Sequence, residues 1–268
     1  MAAGKMKMSP MRIGVCVTLD QPVAPVEGLD FLEGLVPDVL CPLEPREVFA
    51  RRESLVKALA YPMEAVNRLF PPQIKTTGPQ IDQRALDEYM GVVCQRAARI
   101  GAKVVVFGAG PSRRVPEGFE HQRAFQQLVD HLKRWAPMAR DAEIVIAIEP
   151  LNRHESNIIN SVAEAAQLAR SVDHPNIRIL ADTFHMGREG EGTEGITSAG
   201  AGLLCHVHCA DPVERAPLGL GPSDHRPYFA ALKRIDYTGR VCIEAVWRDF
   251  PAQLAAAVAG LRDQIETA

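Results

Sequence analysis

Apolar runs of strand length alternate with amphipathic segments of helix length along the whole of this 268-residue chain. Alternation at ~30 residues per unit belongs to parallel sheets whose strands are joined by crossover helices. The runs are Met11 to Val17, a second at either Asp30 to Val36 or Val36 to Leu43, and a weaker third at Met63 to Phe70. Lys103 to Phe107, Ile144 to Ile148, Ile177 to Ala181, Leu203 to Val207 and Val241 to Ile243 complete eight. Lys103 to Phe107 is too apolar to keep one face in water, as expected of a parallel strand covered on both sides. Eight units favour a single-domain (β/α)8 TIM barrel over an open doubly wound sheet, and the length is close to the ~250 residues usual for such barrels. The barrel is assigned to residues 11–268. Residues 1–10 carry two lysines but no apolar core, so they read as a flexible lead-in and not a secretory signal.

The intervening segments carry helix signals. From Asp82 to Ile100 the apolar residues Leu86, Tyr89, Met90, Val93, Ala97 and Ile100 fall on one helical face. Asp82 suits the N-cap and Gly101 the position past the end. His121 to Met138 is a second amphipathic helix. Ser161 with Glu164 reads as a capping box opening a helix to about Ser171. Asp224 to Ile235 and Gln253 to Ile265 are further helices, and the one between the first two strands reads as truncated. Two Gly/Pro-rich stretches, Pro71 to Pro79 and Gly187 to Gly202, follow strands on the expected active face and suit mobile lids.

The formal net charge of −3 gives no basic excess for nucleic acid or an anionic membrane surface. No apolar run approaches the ~20 residues that span a bilayer. Six cysteines without a C-x-x-C pair suit reduced, buried thiols and a cytoplasmic protein.

Four strands of the second half end on metal-ligand side chains: Glu149, Asp182, His208 and Glu244. Strand C-termini of a TIM barrel converge on one face, so these four point to one divalent-metal centre. A lone acid at a strand end is usually a helix N-cap or an ion-pair partner; four on successive strands are harder to dismiss. Oxygen-rich ligation with one imidazole suits Mn²⁺ foremost, with Mg²⁺ or Co²⁺ as alternatives, better than a structural zinc. Cys205-His206-Val207-His208-Cys209 imitates a zinc knuckle, but strand alternation puts the histidines on one face and the cysteines on the other. His206 is therefore expected in the core or behind a ligand.

Ile148-Glu149-Pro150-Leu151-Asn152-Arg153-His154-Glu155, Asn160-Ser161, His174-Pro175-Asn176 and Asp182-Thr183-Phe184-His185-Met186 together resemble the xylose-isomerase-like sugar isomerase/epimerase superfamily. The nearest pattern within it is that of ketose 3-epimerases of the D-tagatose and D-psicose type. The likeness extends through His206-Val207-His208, Arg215 and Tyr237-Thr238-Gly239 to Glu244, and reaches the first hundred residues only in outline. It implies metal ligation by Glu149, Asp182, His208 and Glu244, and substrate contacts from Glu155, His185 and Arg215. It also implies a small carbohydrate as partner and a homo-oligomer. Arg215 lies one residue further beyond His208 than that pattern expects. Ser112-Arg113-Arg114 is another departure, with two arginines able to grip an anionic group or to lie in a solvated loop.

Such a centre would make the C–H beside the carbonyl of an α-hydroxy ketone acidic. Glu149 and Glu244, on opposite faces, would act as general base and general acid through an enediolate. Inversion gives an epimerase and transfer to the next carbon an isomerase. Loss of a leaving group gives the alternative, a lyase or dehydratase on a keto-sugar, inosose or 3-oxo-glycoside. A three-metal endonuclease would need histidines on the early strands, which have none. A non-catalytic barrel would not need both glutamates, and Gly108-Ala109-Gly110 lacks the third glycine of a dinucleotide fingerprint.

Overall fold

A computed structural model describes residues 11–268 of the chain; the proposed lead-in at residues 1–10 lies outside the described residues. Eight parallel strands follow one another round a closed barrel in chain order: β1 (Arg12–Val17), β2 (Phe31–Leu35), β3 (Met63–Asn67), β4 (Val104–Phe107), β5 (Val145–Ile148), β6 (Ile177–Asp182), β7 (Leu204–Cys209) and β8 (Arg240–Ile243). The seam closes where β8 pairs with β1, with Arg12 opposite Arg240 and Val15 opposite Ile243.

Nine α-helices are assigned among the described residues: α1 (Arg46–Lys57), α2 (Gln83–Ile100), α3 (Gly110–Arg113), α4 (His121–Asp141), α5 (Val162–Val172), α6 (Thr183–Glu189), α7 (Glu194–Ala199), α8 (Arg226–Arg234) and α9 (Phe250–Thr267). The end signals read from the sequence act as such. Asp82 caps α2 by accepting from the Ala85 N–H, and Gly101 closes it with a left-handed φ of 82°. A cap of this kind stabilises by ~1 kcal/mol. Ser161 accepts from the Glu164 N–H at 3.1 Å, while the Glu164 carboxylate reaches one residue beyond a capping box, to the Asn160 N–H. No helix is assigned between β1 and β2; the chain crosses there in a loop.

The second strand resolves in favour of the earlier placement. Val36–Leu40, part of the other candidate, forms a single π-helical turn behind β2, with Pro37 at its start. Apolar side chains of strands and helices interlock into one shell around the barrel, where Trp135, Phe107 and Phe70 pack ring to ring. A smaller cluster unites Ala65, Val104, Val106, Ala147, Leu180 and Cys205.

The two Gly/Pro-rich stretches carry defined contacts and elements. In 71–79 the hydroxyls of the buried Thr76 and Thr77 donate to the carbonyls of Ser112, Arg113 and Arg114. The 187–202 stretch holds the end of α6 and the whole of α7. Arg113 grips no outside anion either: it is fully buried and donates to the carbonyls of Phe107 and Glu149 at 2.8 and 2.5 Å, tying down the ends of β4 and β5. Arg114 donates to the His154 carbonyl at 2.9 Å.

Candidate active site

The C-terminal ends of β5 to β8 bring Glu149, Asp182, His208 and Glu244 together, each with one donor atom within 4.8 Å of the others. Asp182 closes β6 and opens α6. Its Oδ1 accepts from the Phe184 N–H at 2.8 Å, which satisfies the capping role an acid at a strand end usually serves. Its Oδ2 is buried without a hydrogen-bond partner. His185 Nε2 and Arg215 Nη2 stand 3.5 and 3.7 Å from it without forming a hydrogen bond, so this buried oxygen keeps the capacity to meet a cation.

His208 lies between the acids, wholly buried. Its Nδ1 is 3.1 Å from Glu149 Oε1 and 3.3 Å from Glu244 Oε2. Glu149 lies against Gly108 so closely that a Cβ there would stand 1.6 Å from Oε2. Burial, and the charge of Glu244 beside it, push the Glu149 carboxyl above the usual carboxylate range despite His208. Burial also pushes Glu244 upward, but His208 and the Arg215 guanidinium outweigh it and hold Glu244 at about 2. Three oxygen donors and one imidazole, with an unpartnered oxygen among them, fit a hard or borderline divalent cation.

The residues expected to hold a substrate stand beside this centre. His185 Nδ1 accepts from the backbone and side-chain amides of Asn152, at 3.2 and 2.8 Å. Nε2 therefore carries the proton and faces Asp182 Oδ2 at 3.5 Å. Glu155, on the same turn as Asn152, is part exposed and 3.9 Å from Arg215 Nη1. Despite its later place in the sequence, Arg215 reaches the site. Its Nη2 donates to Glu244 Oε2 at 2.5 Å, and its guanidinium lies 4.4 Å above the Phe184 ring. Glu214 and Arg215 take two consecutive left-handed conformations, at φ 58° and φ 53°. Side chains other than glycine take that conformation at a cost of order 1 kcal/mol or more each, a pattern common beside functional sites.

His206 is fully buried behind the centre, with Nε2 2.7 Å from Glu33 Oε2. Cys205 and Cys209 turn away and donate to the carbonyls of Ile179 and Cys242, so the zinc-knuckle arrangement does not form.

Two residues that the sequence did not single out complete the surroundings. Glu33 of β2 is fully buried and accepts from both His206 and His208. Asn67, which ends β3, donates to Glu244 Oε1 at 3.1 Å while its own Oδ1 has no partner. An acid and an amide in poorly defined early strands gave no periodic or motif signal. The only available hint was that Asp30 to Val36 would carry an acid among apolar residues.

The family model of the xylose isomerase-like TIM barrel matches residues 56–266. The chain belongs to that family. Among its relatives is the L-ribulose 3-epimerase of Methylomonas sp. (strain DH-1), 37% identical over 114 residues, which are 42% of this chain and 40% of that protein. The 3-dehydro-D-guloside 4-epimerase of Escherichia coli (strain K12) is 28% identical over 187 residues, 66% of this chain and 70% of its own length. The chain spans less than half the length of the first curated relatives it matches. By fold it is similar to the IolI protein solved with a zinc atom, with a TM-score of 0.73 and 17% identity over 96% of this chain and 99% of that one.

Proposed function

We propose that this protein is a divalent-metal-dependent sugar isomerase or epimerase acting on a ketose or a related α-hydroxy ketone. The observation that carries the reading is the convergence of Glu149, Asp182, His208 and Glu244, with the unpartnered Asp182 Oδ2 among them. The epimerases among its relatives support the same class of chemistry.

Mn²⁺ suits the donor set best, with Mg²⁺ or Co²⁺ as substitutes, and Glu149, Asp182, His208 and Glu244 would hold it. Such an ion supplies Lewis acidity toward a carbonyl oxygen, which lowers the barrier to removing the neighbouring proton. This chain's residues do the rest. Glu149 and Glu244 come from β5 and β8 and flank the centre, so one carboxylate removes the proton from one face of the substrate. The other, starting as the protonated carboxylic acid, returns a proton to the enediolate from the opposite face, which inverts the carbon. Arg215 and the buried His185 would supply N–H donors beside the centre, and the part-exposed Glu155 an acceptor, for the hydroxyls of a sugar. The Phe184 ring beneath Arg215 keeps the guanidinium from swinging away.

The test is an NMR incubation of the Mn²⁺-loaded protein in D₂O with ketoses, inososes and 3-oxo-glycosides. Deuterium entering the carbon beside the carbonyl, with epimer or isomer formed, is the expected result. An unsaturated product would instead assign a lyase. No exchange with any member of the panel would overturn the reading.

A further inference from the structure

We propose that Glu33 is a positioning residue for the cation site, which fixes His208 as the Nε2–H tautomer and so presents Nδ1 to the ion. The inference rests on the metal-dependent reading above. A neutral imidazole carries one proton, and only its bare nitrogen can ligate. His208 Nδ1 faces Glu149 and Glu244, whereas Nε2 lies 2.9 Å from Glu33 Oε1. The carboxylate accepts and cannot donate, so the proton stays on Nε2 and Nδ1 is left bare toward the centre.

Glu33 is itself held. Its second oxygen accepts from His206 Nε2 at 2.7 Å, and the His206 ring packs edge-on against His208 with centroids 5.0 Å apart. Rotating Glu33 away from His208 would break both bonds in a site closed to water, where neither histidine has a replacement acceptor. The link also crosses the barrel. β2 and β7 are not neighbours, since β1 and β8 stand between them. Glu33 therefore braces a donor on the far wall from inside the lumen, and His206 is buried two residues before His208 to hold the brace. This gives the His-x-His pair a physical reason: one ring faces the ion and the other secures the carboxylate that orients it.

The test needs no substrate. Mn²⁺ and Zn²⁺ affinities are measured by calorimetric titration for the wild type and for Glu33→Gln, with melting of the cation-free proteins as a folding control. The His208 tautomer is read from long-range ¹H–¹⁵N spectra of the Zn²⁺-loaded wild type. Loss of outer partners of metal-bound histidines typically weakens binding 10–100-fold, and a loss of about that size is expected for folded Glu33→Gln. The spectra should show a proton on His208 Nε2 and a ligated Nδ1. Affinity of folded Glu33→Gln within threefold of wild type, or a ligated Nε2 in the wild type, would overturn the proposal. Should Glu33→Gln not fold, the wild-type spectra decide alone. A wild type that binds neither ion would sink the function proposed above, an outcome distinct from a binding wild type with an unaffected variant.

Discussion

At the scale of single residues, the proposed centre depends on what lies immediately behind its candidate donors. Gly108 leaves the space that Glu149 Oε2 fills, and a methyl group at 1.6 Å cannot coexist with that rotamer. Gly108 has no left-handed φ, so alanine would strain the side chain of Glu149 and not the backbone. Gly108→Ala is expected to melt near the wild-type temperature yet to bind Mn²⁺ at least about tenfold more weakly. Unchanged affinity in a calorimetric titration would show that Glu149 has another home. Asn67 acts on Glu244 differently. Its Nδ2 holds Oε1, while Arg215 and His208 lie at Oε2. The amide orientation is set by that contact, because the reverse would put oxygen against oxygen. A hydrogen bond to a charged group contributes ~1.5–3 kcal/mol, so Asn67→Ala should lower kcat by about 10–100-fold. Because Asn67 also backs a proposed ligand, Mn²⁺ affinity should fall as well, by up to about 10–100-fold, and steady-state rates beside a metal titration would separate the two effects. Glu149→Gln and Glu244→Gln should each cost more than the ~10²–10⁴ of a simple acid–base residue, since each loses a donor as well. Near-wild-type turnover in either would refute the two-carboxylate scheme.

At the scale of elements, one helix start is set against its own charge. The Glu191 carboxylate, beyond the end of α6, accepts from the N–H of Val162, the first residue of α5. Burial foremost, then Glu164 and Glu189, push its carboxyl up to about 7, although the Val162 N–H pulls the other way. The folded form thus holds a proton that the unfolded chain, near 4.5, releases. The stabilisation is complete below 4.5 and disappears as pH rises through 7. Glu191→Gln, which keeps an acceptor without the charge, should melt higher than wild type at pH 8 and no differently near pH 5. Equal melting temperatures at both values in differential scanning calorimetry would contradict this account.

The same scale shows what was legible beforehand. β5 to β8 could be read because each is a short, largely apolar run that leads to a ligand-type side chain at its end, and the capped helices because their signals are local. The choice between two positions for β2 was not legible. Pro37 and the apolar run to Leu40 suit a buried strand as well as a tight turn, and only packing behind β2 decides. With that strand undefined, Glu33 could not be placed in the lumen. Asn67 stayed hidden for the same reason, at the end of a weak third strand. The paired left-handed residues Glu214 and Arg215, in the segment that brings Arg215 to the site, are a backbone choice that no propensity favours.

At the scale of the whole molecule, the proposed centre draws its donors from four consecutive strands and its brace from a fifth. A ligand that binds only the folded form stabilises it, by ~2.7 kcal/mol at a hundred times its dissociation constant. For a chain of this size that corresponds to a rise of roughly 5–10 °C in Tm. Mn²⁺ added to chelator-treated protein should produce such a rise, reversed by excess chelator, in a thermal melt. No shift at saturating Mn²⁺ would count against the centre as a whole.

The donor on β8 carries a further meaning. β8 is the strand that meets β1 and shuts the barrel. In chain order Glu33 comes first, then Glu149, Asp182 and His208, and Glu244 after them. The full proposed donor set is assembled only where β8 has paired with β1. On the proposed reading, a complete cation site follows closure of the barrel and does not precede it.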